Sequence, residues 1–237
     1  MRHVKALLFD TFGTIVDWRG SIMRHGARFA AREAIDGVDW QAFALAWRAG
    51  YQPGMEKVRS GERGWTTIDT IHRERLDEIL IDFDIADRVD EAKRVEMNLW
   101  WHQLDPWPDS VPGLRRLAGK YIIGPLSNGS TPLLVNMAKR AGIPWDVIAS
   151  SDATRAYKPQ PAAYLNACSA LGLPPGEVMM CAAHNDDLDA ARDQGMATAY
   201  INRPDEYGPD QIKDFGATDE WDIITDHVGG IADHLGC

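Results

Sequence analysis

Short apolar runs, most of them separated by stretches of helical periodicity, recur in this chain and constrain its fold more than any other feature. The apolar runs stand at 4–9, 121–126, 147–149, 178–181 and 197–201. The amphipathic stretches stand at 111–119, 132–141, 160–171 and 187–194. Apolar runs of this length are typical of parallel strands buried on both faces. Their alternation with helices predicts an α/β fold, a Rossmann-like open parallel sheet with helices on both faces. Pro125 argues against one run, since proline is unusual inside a sheet.

Residues 16–105 interrupt the pattern. They contain no buried-strand run and are rich in tryptophan and helix-forming residues. The α/β pattern resumes at the stiff segment 106–108, Pro-Trp-Pro. The sequence therefore predicts a discontinuous core domain, 1–15 plus 106–237, and a helical cap domain, 16–105, inserted near the active end of the sheet.

Three amphipathic helices are predicted within this insertion. Asp39 is placed to cap the first, whose apolar stripe runs from Trp40 to Tyr51, and Gln-Pro-Gly at 52–54 is expected to end it. The other two stretches are 67–79 and 89–101.

Net charge, the length of the apolar runs and the cysteines restrict which partners and which cellular compartment the protein can have. The formal net charge is −10, from 25 basic and 35 acidic residues, which disfavours nucleic acid and anionic membrane surfaces. The apolar runs are too short for a transmembrane helix. Three cysteines without CxxC spacing are typical of reduced thiols, so we predict a cytoplasmic protein.

Four polar clusters follow predicted strands or adjoining loops. They are 10–14 (DTFGT), 127–129 (SNG), 158–159 (KP) and 184–187 (HNDD). In open α/β sheets, ligands bind beyond the carboxyl ends of the strands. We therefore expect the four clusters to form one site.

These clusters resemble the motifs of haloacid dehalogenase-like hydrolases, and the resemblance spans the whole chain. Residues 7–17 are similar to the nucleophile loop and 126–129 to the second motif. Residues 157–161 with Tyr164 resemble the lysine motif, and 187–191 the end of the acidic fourth motif. The resemblance implies a core sheet with an inserted cap.

Two departures distinguish branches of that superfamily. Its phosphatases carry a second aspartate two residues after the nucleophile, where this chain has Phe12. They also carry an acidic residue where this chain has Ala183. A phenyl ring neither donates a proton nor binds a metal, and Mg²⁺ prefers carboxylate ligands. The pattern favours the L-2-haloacid dehalogenase branch. A phosphatase or phosphonate hydrolase, and a non-enzymatic protein on a degenerate fold, remain as alternatives.

The resemblance implies four catalytic residues. Asp10 is the nucleophile that forms an ester with the substrate. Thr14 orients Asp10, and Lys158 favours its ionised form. Asp187 holds Lys158 and positions or deprotonates the hydrolytic water. For Thr14 and Lys158 a small turn residue and an exposed loop lysine are the ordinary alternatives.

Six residues are predicted to bind the substrate: Phe12, Arg48, Ser127, Asn128, Tyr164 and His184. Ser127 and Asn128 are expected to bind the substrate carboxylate with side-chain and backbone donors, the backbone donors coming from the start of the next helix. Arg48 is expected to receive the halide, or else to lie over its aromatic neighbours. Tyr164 has helix packing as its alternative.

His184 stands where the family usually has an amide, and it is predicted to donate to the halide or the water. A structural role is the alternative, and Asn185 replaces it if the loop is shifted by one residue.

The implied reaction is the hydrolytic dehalogenation of small 2-haloalkanoic acids to 2-hydroxy acids. It needs no cofactor and no metal. The partners are a small anionic haloacid and water, and the family suggests a homodimer. Fluoroacetate is predicted among the substrates, because fluoride departure gains most from charge-assisted donors such as Arg48 and His184.

Overall fold

The computed structural model describes residues 3–209, 211 and 213–237. It forms two compact units, one of residues 1–17 and 105–237 and the other of residues 18–104. The chain passes between units at 17/18 and 104/105, whereas the sequence placed these boundaries at 15/16 and 105/106. None of the helices in the described ranges is long and apolar enough to cross a membrane.

The larger unit contains a six-stranded parallel sheet. Its strands are β1 (Ala6–Phe9), β4 (Ile122–Ser127), β5 (Ala149–Ser150), β6 (Val178–Ala182), β7 (Ala197–Ile201) and β8 (Ile223–Thr225). A separate antiparallel ribbon joins β2 (Val16–Asp17) and β3 (Asp105–Pro106). The sheet order is β5-β4-β1-β6-β7-β8, and all its pairs are parallel. The predicted α/β fold is confirmed, and β8 is a strand that the sequence patterns did not reveal.

Helices α1 to α5 belong to the smaller unit and α6 to α11 to the larger one. The first set is α1 (Trp18–Glu33), α2 (Trp40–Ala49), α3 (Tyr51–Arg59), α4 (Ile68–Asp82) and α5 (Glu91–Asn98), with 3₁₀ turns at Ala86–Arg88 and Leu99–Gln103. The second set is α6 (Ser110–Ala118), α7 (Thr131–Ala141), α8 (Ser151–Thr154), α9 (Pro161–Ala170), α10 (Asn185–Asp193) and α11 (Val228–His234), with a 3₁₀ turn at Pro175–Glu177.

The central strands β1 and β6 are buried on both faces, and alternate residues of each strand point to opposite faces. In β1, Ala6 and Leu8 belong to a core cluster that includes residues of α9 and α10, such as Tyr164 and Leu188. Leu7 and Phe9 point to the other face and are also fully buried. Burial on both faces explains why these strands are continuous apolar runs.

Pro125 lies inside β4, opposite Phe9 of β1, so the argument from proline against this strand was wrong. Nitrogens of alternate residues face the same neighbour, and the Ile123 amide donates to Asp146 on the side of β5. The β5 ladder pairs only Leu126 and Ser127. The missing N–H of Pro125 therefore faces a part of the sheet where that ladder has not begun.

The smaller unit corrects one predicted break. Asp39 caps α2 as predicted, accepting from the amides of Gln41 and Ala42. The helix ends at Gly50, however, and residues 52–54 lie inside α3. Pro53 is the third residue of α3, in the first turn, where a missing N–H costs no helical hydrogen bond.

The chain order of the strands creates a switch point beside β1. From β1 the sheet extends through β4 to β5 in one direction and through β6 to β8 in the other. Ligands of open α/β sheets bind where the strand order reverses. The carboxyl ends of β1, β4 and β6 are therefore the expected position of a site.

Candidate active site

Asp10 follows β1 and opens a tight loop. Its amide donates to the carbonyl of Cys181 at 2.9 Å, which extends the pairing of β1 with β6 by one residue. The amides of Ile15 and Val16 then both donate to the carbonyl of Thr11. This loop holds the Asp10 carboxylate at the strand end, where only 6% of the residue is exposed.

The first side of Asp10, which we call the lysine side, consists of Lys158, Asp187 and Tyr164. The Lys158 ammonium donates to Oδ1 of Asp10 at 2.8 Å and also to Oδ2 of Asp187. The Tyr164 hydroxyl donates to Oδ1 of Asp187 at 2.6 Å. Tyr164, predicted to bind the substrate, is thus placed as the support of Asp187.

Burial and charge set the protonation states on the lysine side. Burial would lower the pKa of Lys158, but Asp10 and Asp187 raise it well above its ordinary value. Burial raises the pKa of Asp187, opposed by Lys158. Lys158 therefore remains a cation, and Asp187 is a better proton acceptor than an exposed aspartate.

The second side of Asp10, the histidine side, consists of Thr14, His184 and Glu206. The Thr14 hydroxyl donates to Oδ2 of Asp10 at 2.7 Å and accepts from the Ala183 amide at 2.9 Å. Nδ1 of His184 lies 3.2 Å from the same Oδ2, and its Nε2 lies 2.8 Å from Oε2 of Glu206. Both ring nitrogens of His184 therefore face carboxylates.

His184 and Asp10 shift each other's pKa. Burial would lower the pKa of His184, but Glu206 and Asp10 raise it well above its usual range. Burial would raise the pKa of Asp10, but Lys158 and His184 hold it well below its usual range. Asp10 is therefore an ionised carboxylate between two cations.

Sequence analysis missed Glu206. It lies in segment 202–222, which joins β7 to β8, yet only 1% of the residue is exposed. Gly13 accommodates its carboxylate: a Cβ at position 13 would lie 2.2 Å from Cδ of Glu206. Gly13 also has a φ of +86°, which favours glycine. Gly13 was the only sign in the sequence that another side chain packs closely against the loop that follows β1.

Arg203 ties the 202–222 segment to the nucleophile loop. Its Nε donates to the carbonyl of Thr14 at 3.0 Å, and its two terminal nitrogens donate to both oxygens of Asp109 at 2.8 Å. The Glu206 amide donates to the carbonyl of Arg203 at 3.2 Å. The fork of Arg203 therefore fixes the backbone that carries Glu206.

Asn185 points away from Asp10 and into the same segment. Its Nδ2 donates to Asp214 and to the carbonyl of Gly216, and its Oδ1 accepts from the Thr218 amide and the Trp221 indole. The loop is not shifted by one residue, so His184 and not Asn185 faces Asp10.

Ser127 is the last residue of β4 and Asn128 follows it, and both residues are buried. Oγ of Ser127 accepts from the Gly129 amide, and Oδ1 of Asn128 accepts from the Lys158 amide at 2.7 Å. Asn128 thereby positions the lysine.

The helix start that was expected to bind the substrate carboxylate has other partners. The Thr131 amide donates to Asp152 and the Leu133 amide to the capping oxygen of Ser130. A capping side chain satisfies these amides because nothing within the helix can. These two amides therefore have partners within the fold, and the binding of the substrate carboxylate by Ser127 and Asn128 stays a prediction.

Arg48 lies in α2, in the smaller unit. Its guanidinium carbon lies 3.9 Å from the ring centroid of Tyr51 and 5.6 Å from that of Trp18. These contacts fit the cation–π arrangement expected of arginine over aromatic rings. Its role at a halide remains a prediction.

Phe12 and Ala183 are both buried, and each side chain is apolar. Across the residues that the structure describes, no three His, Cys, Asp or Glu side chains are grouped so as to hold a metal ion.

Comparison with known proteins decides the family. A model of haloacid dehalogenase-like hydrolases matches residues 4–195. The chain belongs to this family. The predicted membership of this family is thereby confirmed.

Two solved structures and one curated relative place the chain within the haloacid dehalogenase-like hydrolases. A defluorinating L-2-haloacid dehalogenase is 52% identical, with a TM-score of 0.96 over 99% of this chain and 96% of that one. Another L-2-haloacid dehalogenase is 41% identical, with a TM-score of 0.94 over 98% and 99%. The (S)-2-haloacid dehalogenase 4A of Burkholderia cepacia is 28% identical over 210 residues, 86% of this chain and 87% of that protein.

Proposed function

We propose that this protein hydrolyses small 2-haloalkanoic acids to 2-hydroxy acids through a covalent ester on Asp10. The observation that carries the proposal is a buried, ionised Asp10 between Lys158 and His184. It occurs in a chain 52% identical to a protein described as an L-2-haloacid dehalogenase. Desolvated and anionic, this carboxylate has the properties of a nucleophile.

In the first step an oxygen of Asp10 attacks C2 of the substrate. The new C–O bond forms as the carbon–halogen bond breaks, and the halide leaves with the bonding electrons. Phe12, Ser127, Asn128 and Arg48 are proposed to surround the substrate, with Arg48 receiving the halide. The roles of Lys158 and Thr14 are to hold Asp10 ionised and oriented.

In the second step water attacks Cγ of the Asp10 ester. Asp187 is proposed to accept the proton of the water, which its raised pKa favours. The ester bond then breaks, and the proton passes to the oxygen of the departing 2-hydroxy acid. Tyr164 and Lys158 hold Asp187 in place.

The alternative of phosphoryl transfer is disfavoured by side-chain chemistry at two positions. Phe12 has no proton for a leaving alcohol, and Ala183 has no ligand for Mg²⁺. The 52% and 41% identical structures are both described as L-2-haloacid dehalogenases.

Fluoroacetate is included in the proposed substrate class. Two observations support this. The 52% identical protein is described as a defluorinating enzyme, and a cationic His184 lies beside Asp10.

Halide release is the test of the function. Purified enzyme is incubated with fluoro-, chloro- and bromoacetate, with 2-chloropropionate and with a phosphate monoester, each with and without EDTA. We expect halide from the haloacids, unaffected by EDTA, and no phosphate. Phosphate release that requires Mg²⁺, with no halide release, would establish the rival function.

The cytoplasmic location and the homodimer also stay predictions. The thiols of Cys168, Cys181 and Cys237 are unpaired by disulfides, which fits a reducing compartment. Size-exclusion chromatography with light scattering tests the dimer.

A further inference from the structure

We propose that Glu206 is a positioning residue that keeps His184 doubly protonated, so that His184 and Thr14 together stabilise the oxyanion formed on Oδ2 of Asp10 during ester hydrolysis. This inference rests on the proposed function and assigns a specific half-reaction to the histidine side.

The hydrogen bonds of Asp10 distinguish its two oxygens. Each carboxylate oxygen has two lone pairs. Oδ2 meets two donors, the Thr14 hydroxyl at 2.7 Å and the His184 ring at 3.2 Å. Oδ1 accepts from Lys158 at 2.8 Å and keeps a second lone pair among the described contacts. Oδ1 is therefore the attacking atom, and Oδ2 becomes the carbonyl oxygen of the ester.

The chemistry at Oδ2 changes during hydrolysis. When water bonds to Cγ, the carbonyl electron pair moves onto Oδ2, which becomes an oxyanion. When the bond from Cγ to Oδ1 breaks, that pair returns. Donors already aimed at Oδ2 stabilise this transient charge without rearrangement. The Thr14 proton is directed there because its oxygen accepts from the Ala183 amide.

Glu206 matters most once the ester has formed. In the free enzyme two carboxylates, Asp10 and Glu206, favour the cationic form of His184. Esterification removes the charge of Asp10 and leaves the charge of Glu206, 2.8 Å from Nε2. Without Glu206, burial would then deprotonate His184. An imidazole without the Nδ1 proton would direct a lone pair at the oxyanion.

The other charged groups near His184 and Glu206 do not replace Glu206 as the partner of the His184 ring. Lys158 and Asp187 lie on the opposite side of Asp10. Lys213 and Asp214 belong to the 202–222 segment, and Lys213 and Glu206 are close enough to interact electrostatically. Only Glu206 and Asp10 among the described carboxylates meet the His184 ring nitrogens.

Glu206→Gln tests the proposal, because glutamine keeps the shape and removes the charge. Enzyme is mixed with chloroacetate, quenched at intervals and measured as intact protein by mass spectrometry. We expect the Asp10 ester to accumulate near pH 8, with its hydrolysis slowed about 100-fold. Its formation, read as the halide burst, changes far less. Glu220→Gln, the same substitution at an exposed position of the same segment, is the matched control.

The direction of the pH dependence separates two roles of His184. If His184 acts as a cation, lowering the pH below neutrality increasingly reprotonates it in Glu206→Gln, and ester hydrolysis speeds up as the pH falls. If a neutral His184 were the base for water, hydrolysis would instead recover as the pH rises. Recovery at high pH, or no ester accumulation at either pH, overturns the proposal.

A second measurement needs neither turnover nor the variant. The ¹⁵N shifts of the His184 ring in the free wild-type enzyme report its protonation directly. Because Glu206 and Asp10 hold the pKa of His184 well above its usual range, we expect both nitrogens to be protonated at neutral pH. A neutral ring near pH 7 contradicts the proposal even if halide release is confirmed. Absence of halide release with a cationic ring would instead refute the proposed function alone.

Discussion

The lysine side and the histidine side of Asp10 each place a cation on the same carboxylate, but they support that cation differently. Lys158 lies between two aspartates, and Asp187 is itself held by Tyr164. His184 has Glu206 as its second carboxylate, carried on the 202–222 segment. When Asp10 becomes an ester, each cation keeps one carboxylate. The comparison indicates that the site is built for the charge of the intermediate as well as for that of the free enzyme.

Removal of the cation on the lysine side should have the largest effect. Lys158→Met leaves Asp10 and Asp187 buried without their shared counter-charge, so we expect activity to fall about 1,000-fold. The free energy of unfolding should fall by about 3–5 kcal/mol at pH 7. Part of this loss should return on acidification, because protonated carboxylates no longer repel each other. Halide release and denaturant titrations at pH 7 and 5 measure this, with Lys139→Met, an exposed lysine of α7, as control. Equal destabilisation at both pH values would contradict the charge argument.

On the histidine side we expect a smaller destabilisation, which likewise grows as the pH rises. The folded-state pKa of His184 lies above its unfolded value, so its contribution to stability is complete below about pH 6.5. That contribution is lost as the pH rises through the folded pKa. Glu206→Gln lowers the folded pKa and moves the loss toward neutrality. The difference in Tm between wild type and Glu206→Gln should therefore grow from pH 6 to pH 9. A constant difference would mean that only packing is lost.

Tyr164→Phe should have the smallest effect of the three. It removes one hydrogen bond to a carboxylate, worth about 1.5–3 kcal/mol, while Lys158 still holds Asp187. We expect kcat to fall about tenfold with little change in KM, because Asp187 is proposed to act on water after the substrate has bound. Steady-state kinetics check this, with Tyr121→Phe as the control, because Tyr121 lies directly before β4 and away from the site. A change confined to KM would indicate contact with the substrate instead.

The lysine side could be predicted from sequence because its residues stand beside recognisable elements. Asp10 follows β1, Lys158 precedes α9, and Asp187 begins the periodic stretch of α10. Parallel strands bring their carboxyl ends to one edge, so these residues had to meet. Tyr164 was also singled out, but the spacing could not tell whether it contacts the substrate or Asp187.

The histidine side could be predicted only in part. His184 was visible as a departure from the family pattern, but the orientation of its ring depends on Glu206. Glu206 lies in the irregular 202–222 segment, where no periodicity indicates which side chain turns inward. Its position is fixed by Arg203 and Asp109, which are 94 residues apart in sequence, and by the space above Gly13. Contacts of this kind leave no local sequence signal.

Two local errors of the sequence prediction, one in a helix and one in a strand, have separate causes. The first cap helix ends at Gly50 and not at 52–54, because Pro53 is tolerated in the first turn of α3. Strand β8 escaped notice because it has only three residues and its central residue, Ile224, is exposed.

The central claim is that Asp10 itself carries the substrate through the reaction. A single turnover in H₂¹⁸O, with enzyme in excess over chloroacetate, tests it directly by mass spectrometry of the product and of the peptide containing Asp10. Because water attacks Cγ of the ester, we expect the label in the Asp10 carboxylate and unlabelled glycolate from the first turnover. The inactive Asp10→Asn variant should incorporate none. Label in the glycolate of the first turnover would mean that water attacks C2 directly, and the covalent mechanism would be wrong.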